Sequence, residues 1–147
     1  MTETASDHAE HGILDTSTLL LLRRLTDPSL LPSQPLITAI TLAELSVGPL
    51  VAKDERERAA RQAHLQQAEA DFEPLPLDRA AARAFGRVAA SLRRAGRKRR
   101  ARAYDALIAA TAIANDLPLY TCNPSDFSGS DDVTGVAVPI PEEAPAP

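Results

Sequence analysis

Residues 104–127 read YDALIAATAIANDLPLYTCNPSDF, and this stretch decides the fold. Ile108, Ala109 and Ala112 follow Asp105 by three, four and seven positions, so all four share one side of a helix. The short apolar run from Pro118 to Thr121 then reads as a strand, and Asn123 to Phe127 as a turn built on Asn-Pro and Ser-Asp chemistry. A small-residue helix feeding a short apolar strand is the sign of strand-helix-strand units around a parallel sheet. One residue conflicts with simple burial: Asp105 places a carboxylate in line with the most apolar side of its helix.

Outward from this stretch the same alternation covers the chain. GILD, residues 12–15, reads as a first buried strand, and TSTLLLLRRL, residues 16–25, as the helix leaving it. A Pro-punctuated loop leads to a second strand at 36–40. A short helix from Thr41 ends near Gly48-Pro49, and a long, charged, solvent-facing helix covers 53–72. A weak strand at 72–77 contains prolines that remove ladder donors. A helix from Asp78 to Ala95, the basic run 93–102 and an edge strand within 135–140 complete the pattern. The expected organisation is one domain over 12–140, between polar, low-complexity tails at 1–11 and 141–147.

Composition narrows the function. At 147 residues the chain can bury roughly two thirds of its unfolded surface in one core. Hydrophobic residues make up 44% but aromatics only 3%, which argues against stacking of bases on aromatic platforms as a mode of nucleic-acid contact. The formal net charge of -4 argues against a non-specific polyanion binder, although a local basic patch is compatible with it. A single cysteine, Cys122, excludes an internal disulfide and a Cys-rich zinc site. The N-terminus lacks the pattern of a secretory signal, and the longest aliphatic run, Leu19 to Leu22, is too short to span a bilayer, so a soluble cytoplasmic protein without membrane contact is expected.

Each acid has an ordinary structural reading. Asp105 complements a helix dipole, Glu44 closes a capping box begun by Thr41, Asp15 caps a helix before Thr16 and Ser17, and Asn123 and Asp126 make a turn. Jointly the pattern says more. Asp15 and the Asn123/Asp126 turn follow expected strands, while Glu44 and Asp105 open helices, and in a parallel α/β sheet those places converge on the carboxyl edge where ligands bind. Carboxylates gathered there repel unless a cation offsets them. Oxygen ligands without His or Cys suit Mg²⁺ or Mn²⁺.

LDTS after the first strand, the acid of TLAEL, YDALIAATA and YTCNPSDF, in that order, resemble the PIN-domain ribonucleases, in particular the VapC toxins of bacterial toxin-antitoxin pairs. The resemblance implies a three-layer α/β/α sandwich with a mainly parallel sheet and endonucleolytic cleavage of RNA that inhibits translation or growth. It also implies a cognate VapB-type antitoxin, a homodimer, and a Mg²⁺ or Mn²⁺ site. Asp15 and Asp105 would be the main ligands, with Glu44 and Asp126 direct or through water. Thr16, Ser17, Thr121 and Asn123 are the supporting groups, and Asn123 stands where related chains can carry Asp.

The run RRAGRKRRAR, residues 93–102, holds seven basic residues and no acid; Arg97, Lys98, Arg99, Arg100 and Arg102 are its candidates for RNA phosphate contacts. Its plain alternative is a solvated helix end. His8, His11 and His64 lie in the tail or on the charged helix and are read as non-catalytic. Two other hydrolase or metal-site classes fit less well. A haloacid-dehalogenase-like phosphatase needs a second Asp where Ser17 stands, and a receiver-like domain needs a Lys after its last strand, where none follows Lys98. A partner-binding domain whose acidic pocket docks an Arg-bearing peptide is the non-enzymatic alternative.

Overall fold

The computed structural model describes residues 10–25, 27–96, 103–127 and 132–141. The two tails beyond these, and Arg97, Lys98, Arg99, Arg100 and Arg102, lie outside the described residues. The elements are β1 (His11–Leu14), α1 (Thr16–Leu20), β2 (Gln34–Leu36), α2 (Ala39–Val47), α3 (Glu55–Asp71), α4 (Arg79–Arg94), α5 (Ala103–Ala114), β3 (Leu119–Thr121) and β4 (Gly135–Ala137). The four strands form one all-parallel sheet in the order β2-β1-β3-β4.

Alternation along the two central strands divides the core in two. Ile13 and Leu119 turn to one face, where Ala84, Val88 and Leu92 of α4 and Ile108, Ala109 and Ala112 of α5 cover them. Leu14 and Tyr120 turn to the other, under Leu19, Leu21, Leu22 and Leu25. The result is the expected three-layer α/β/α arrangement. A third cluster joins Ile37, Leu45 of α2 and Ala68 of α3. The alanines of α5 let α4 pack closely along it, because small side chains shorten the distance between helix axes. After α5, Asp116 takes a left-handed conformation at φ 53, and Leu117 N–H returns to Ala112 O at 2.9 Å, which turns the chain into β3.

Four expectations need correction. The first strand begins at His11, paired with Gln34, and ends at Leu14; Asp15 follows it as a helix cap. The helix expected over 16–25 stops at Leu20 and continues after Leu21 as a 3-10 turn, Leu22–Arg24. That tighter winding brings Leu22 and Leu25 onto one side, so both reach the core beside Leu14 and Tyr120. The second strand lies at Gln34–Leu36 rather than 36–40, because Thr38 caps α2 by accepting from Thr41 N and draws Ala39 and Ile40 into the helix. Thr41 is therefore inside α2, and no capping box forms with Glu44. The strand expected at 72–77 reduces to one bridge, Leu75 opposite Thr38, between two prolines that cannot donate.

Gly12 lies on the crowded face of β1: a Cβ there would sit 2.5 Å from Tyr120 Cε1 and 2.8 Å from Cδ1, and Tyr120 is fully buried. Gly12→Ala is expected to lower unfolding free energy by about 2 kcal/mol through overpacking, read as a shift of the urea midpoint at constant slope.

Candidate active site

In the order β2-β1-β3-β4 the chain leaves β1 toward β2 on one side, while β3 lies on the other. The carboxyl ends of β1 and β3 therefore flank the crevice where α/β sheets receive ligands. Asp15 stands directly after β1 and is only 3% exposed. Its Oδ1 caps α1 by accepting from Thr18 N at 3.0 Å, and it accepts a longer bond from Ser17 Oγ at 3.3 Å. Ser17 Oγ in turn accepts from Asn123 Nδ2 at 3.1 Å. Asn123 is held from its own side by a 2.9 Å bond from its N–H to Thr121 Oγ1. The exits of β1 and β3 are thus joined through Asp15, Ser17 and Asn123.

Thr16 points to a second group. Its hydroxyl donates to Glu44 Oε1 at 2.7 Å and lies 2.9 Å from Thr41 Oγ1. A hydroxyl has one proton, so Thr41 is the donor in that second contact. Glu44 is thereby fixed to α1 by a side chain adjacent to Asp15. On the same side of α2, Ile40 packs on the core, whereas Val47 is 51% exposed.

Asp105 lies in the first turn of α5, half-buried, above the fully buried Ile108, Ala109 and Ala112 of the same face. Asp126 is in the 3-10 turn Pro124–Phe127, also half-buried, and Phe127 anchors that turn in the α4–α5 core. α5 packs against both α2 and this turn, so the elements carrying Glu44, Asp105 and Asp126 adjoin one another. The acids do not close into a cage: among the described residues no three His, Cys, Asp or Glu side chains gather around one point.

Sequence reasoning missed two contributors. Thr18 is fully buried and its Oγ1 accepts the Cys122 N–H at 2.9 Å, tying α1 to the end of β3; its position three residues after a capping Asp was the available signal. A cleft of about 440 Å³ is lined by Thr16, Glu44, Arg61 and His64, among others. Arg61 is anchored there by a bond to Gly48 O at 2.9 Å and by Glu57. Only the fold brings α3 against α2, so nothing local in the sequence marks this wall.

A parallel sheet with acids at its carboxyl edge defines a class that the known proteins specify. The PIN domain family matches residues 13–128, and the chain belongs to that family. It is 40% identical to ribonuclease VapC5 of Mycobacterium tuberculosis over 86% of this chain and 93% of that protein. It is 34% identical to ribonuclease VapC4 of the same organism over 69% and 75%. The crystal structure of the M. tuberculosis toxin-antitoxin family member VapBC-5 superposes with a TM-score of 0.74 at 37% identity, covering 88% of this chain and 99% of that one. VapBC2 of Rickettsia felis, bound to a promoter DNA fragment, shares the fold with a TM-score of 0.69 at 20% identity.

Thr18→Val keeps the side-chain shape but leaves the buried Cys122 N–H without its acceptor. A loss of about 1–3 kcal/mol is expected in chemical denaturation, while Thr18→Ser should retain most of the stability.

Proposed function

We propose that this protein is a metal-dependent endoribonuclease that hydrolyses RNA phosphodiester bonds in the cytoplasm. In this reading it acts as the toxin of a toxin-antitoxin pair and inhibits translation or growth. The observation that carries the reading is Asp15: it is buried at the crevice between β1 and β3, and Oδ1 takes both of its hydrogen bonds. Oδ2 has no hydrogen-bond donor among the described residues. A buried carboxylate oxygen without a partner is costly, and a hard cation satisfies it with the oxygen chemistry available here. The residues fit Mg²⁺ or Mn²⁺ in this sense, with Asp15 and Asp105 as main ligands and Glu44 and Asp126 acting directly or through water.

When bound, such an ion supplies the positive charge that polarises a phosphoryl oxygen and acidifies a water molecule. The chain supplies the positioning. The Thr18 N–H cap fixes the Asp15 carboxylate, and Thr16 holds Glu44 by its hydroxyl. Asn123 and Ser17 present an amide and a hydroxyl beside Asp15, where they orient water or phosphate. Outer groups of this kind fix ligand orientation in metal sites.

The similarity to proteins solved as VapBC complexes supports a VapB-type antitoxin as partner. A homodimer belongs to the same reading, but most of the leucines after Thr18 do not argue for it: Leu19, Leu21, Leu22 and Leu25 pack on the protein's own core, and only Leu20 among them is exposed, at 44%. Leu50 and Val51, 85% and 65% exposed, are the better candidates for burial between copies. No helix among the described residues is long and apolar enough to cross a membrane.

Asn caps a helix about as well as Asp, so Asp15→Asn should melt within a few degrees of the parent. Cleavage of total RNA should nevertheless fall on the order of 10²-fold or more, as on removal of one electrostatic stabiliser, and Asp105→Asn should behave alike. Chelation with EDTA should stop cleavage, and Mg²⁺ or Mn²⁺ should restore it. Full activity in either variant, or in EDTA, contradicts the assignment. In sedimentation at micromolar concentration a dimer is expected, and a monomer would remove the homodimer from the account.

A further inference from the structure

α4 carries five arginines and no acid, on a chain whose formal net charge is -4. At 3.6 residues per turn, Arg79, Arg83, Arg87 and Arg94 fall along one stripe, with Arg93 beside it, over about 22 Å of helix. All five are exposed, whereas Ala81, Ala84, Val88 and Leu92 occupy the opposite, buried side. The helix packs along α5, which carries Asp105 in its first turn.

Gly86 lies within this stripe, in mid-helix, where glycine disfavours the helix relative to alanine. Among the described residues nothing calls for it: a Cβ there would meet no atom within 4 Å, and its φ is not in the left-handed region. Gly86 and Ala90 instead floor a shallow depression of about 380 Å³, whose rim is Arg87, Ser91, Arg94 and Asp132. Arg94 Nη2 donates to Ser91 Oγ at 3.1 Å, which steadies one side. Asp132 lies 3.7 Å from Arg87 at the edge of the stripe, and both groups are more than half exposed. A pair of that kind is weak and yields to a stronger anion.

We propose that the outer face of α4 is a phosphate track that grips a base-paired RNA stem, with Gly86 and Ala90 forming the saddle in which the sugar-phosphate backbone lies. The inference rests on the nuclease reading above and gives its substrate a shape. Regularly spaced guanidinium forks match repeated phosphates on a rigid duplex. Single strands are held chiefly by stacking on aromatics, and the stripe has none, since Phe85 packs into the core. Paired RNA is read through its shape and backbone, which a straight basic helix can follow.

The test is a titration of a labelled RNA hairpin, and of an unpaired RNA of equal length, with the full chain at several salt concentrations. EDTA is present so that binding is measured apart from cleavage. Arg79→Gln/Arg83→Gln/Arg87→Gln should weaken hairpin binding about 10-fold or more, and flatten the slope of log affinity against log salt by about 2, since each lost phosphate contact contributes roughly 0.7–0.9. Gly86→Gln, a better helix former with bulk in the saddle, should melt no lower than the parent and bind the hairpin several-fold more weakly. Unpaired RNA should lose less in both variants.

An unchanged slope and affinity in the triple variant overturns the track, as does a parent protein that does not bind the hairpin. Equal losses for unpaired RNA overturn the preference for a stem. A variant that binds RNA normally but sediments differently shows an interface between copies instead. Failure of the parent to cleave any RNA with Mg²⁺ present would count against the nuclease reading alone, because the binding slopes are obtained without cleavage.

Discussion

The Cys122 N–H donates to Thr18 Oγ1 at 2.9 Å in full burial, across the crevice between the two central strands. Thr18 is in the same turn that Asp15 caps, and Asn123 is the next residue after Cys122, so this one bond fixes the two halves of the edge relative to each other. The parallel pairing of Ile13 with Leu119 and Leu14 with Tyr120 sets the level at which they meet. A one-residue slip would exchange the core faces of a strand and move its exit. The chemistry at the edge thus depends on the register of two short strands more than on any loop.

How much of this was legible follows from where the information sits. The α5-β3 unit could be read because its periodicity is local, and it placed Asp105, Thr121 and Asn123 correctly on their elements. The start of α2 could not, because Thr38 and Thr41 are both plausible caps three residues apart; the bridge from Thr38 to Leu75 decides between them, and that contact is remote in sequence. Four consecutive leucines likewise say that a core is nearby but not that the helix must tighten after Leu20 to bring Leu22 and Leu25 onto it while Leu20 stays exposed. For the candidate site, the sequence named four acids, Asp15, Glu44, Asp105 and Asp126, with Thr16, Ser17, Thr121 and Asn123 in support; that Ser17 bonds both Asp15 and Asn123 is visible only in the fold. The Thr16–Glu44 bond and the wall supplied by Arg61 and His64 required α1, α2 and α3 to be placed in space.

Charge is segregated by element. Asp15 and Asp126 follow strand ends and Asp105 opens α5, whereas Glu44, expected to open a helix, lies midway along α2 because that helix begins at Ala39; α4 concentrates arginine on one exposed face. Burial of a carboxylate with one oxygen unpartnered is a stability cost that a fold keeps where function uses it. An RNA nuclease needs both signs: anionic ligands at the reacting phosphate and cations along the flanking backbone. α4 and α5 share one layer of the sandwich, and the two signs are kept apart within it because the arginines take the solvent-facing side of α4 while Asp105 stands half-buried in the first turn of α5.

The central claim, that the carboxyl edge between β1 and β3 binds a divalent cation, is tested most directly by titrating Mn²⁺ into isotopically labelled protein and recording which amide signals broaden. The account predicts selective, saturable broadening at Asp15 to Thr18, Glu44, Asp105 and Thr121 to Asp126, displaced by excess Mg²⁺. Broadening centred on the acidic surface of α3, or none at concentrations that support cleavage, would contradict it.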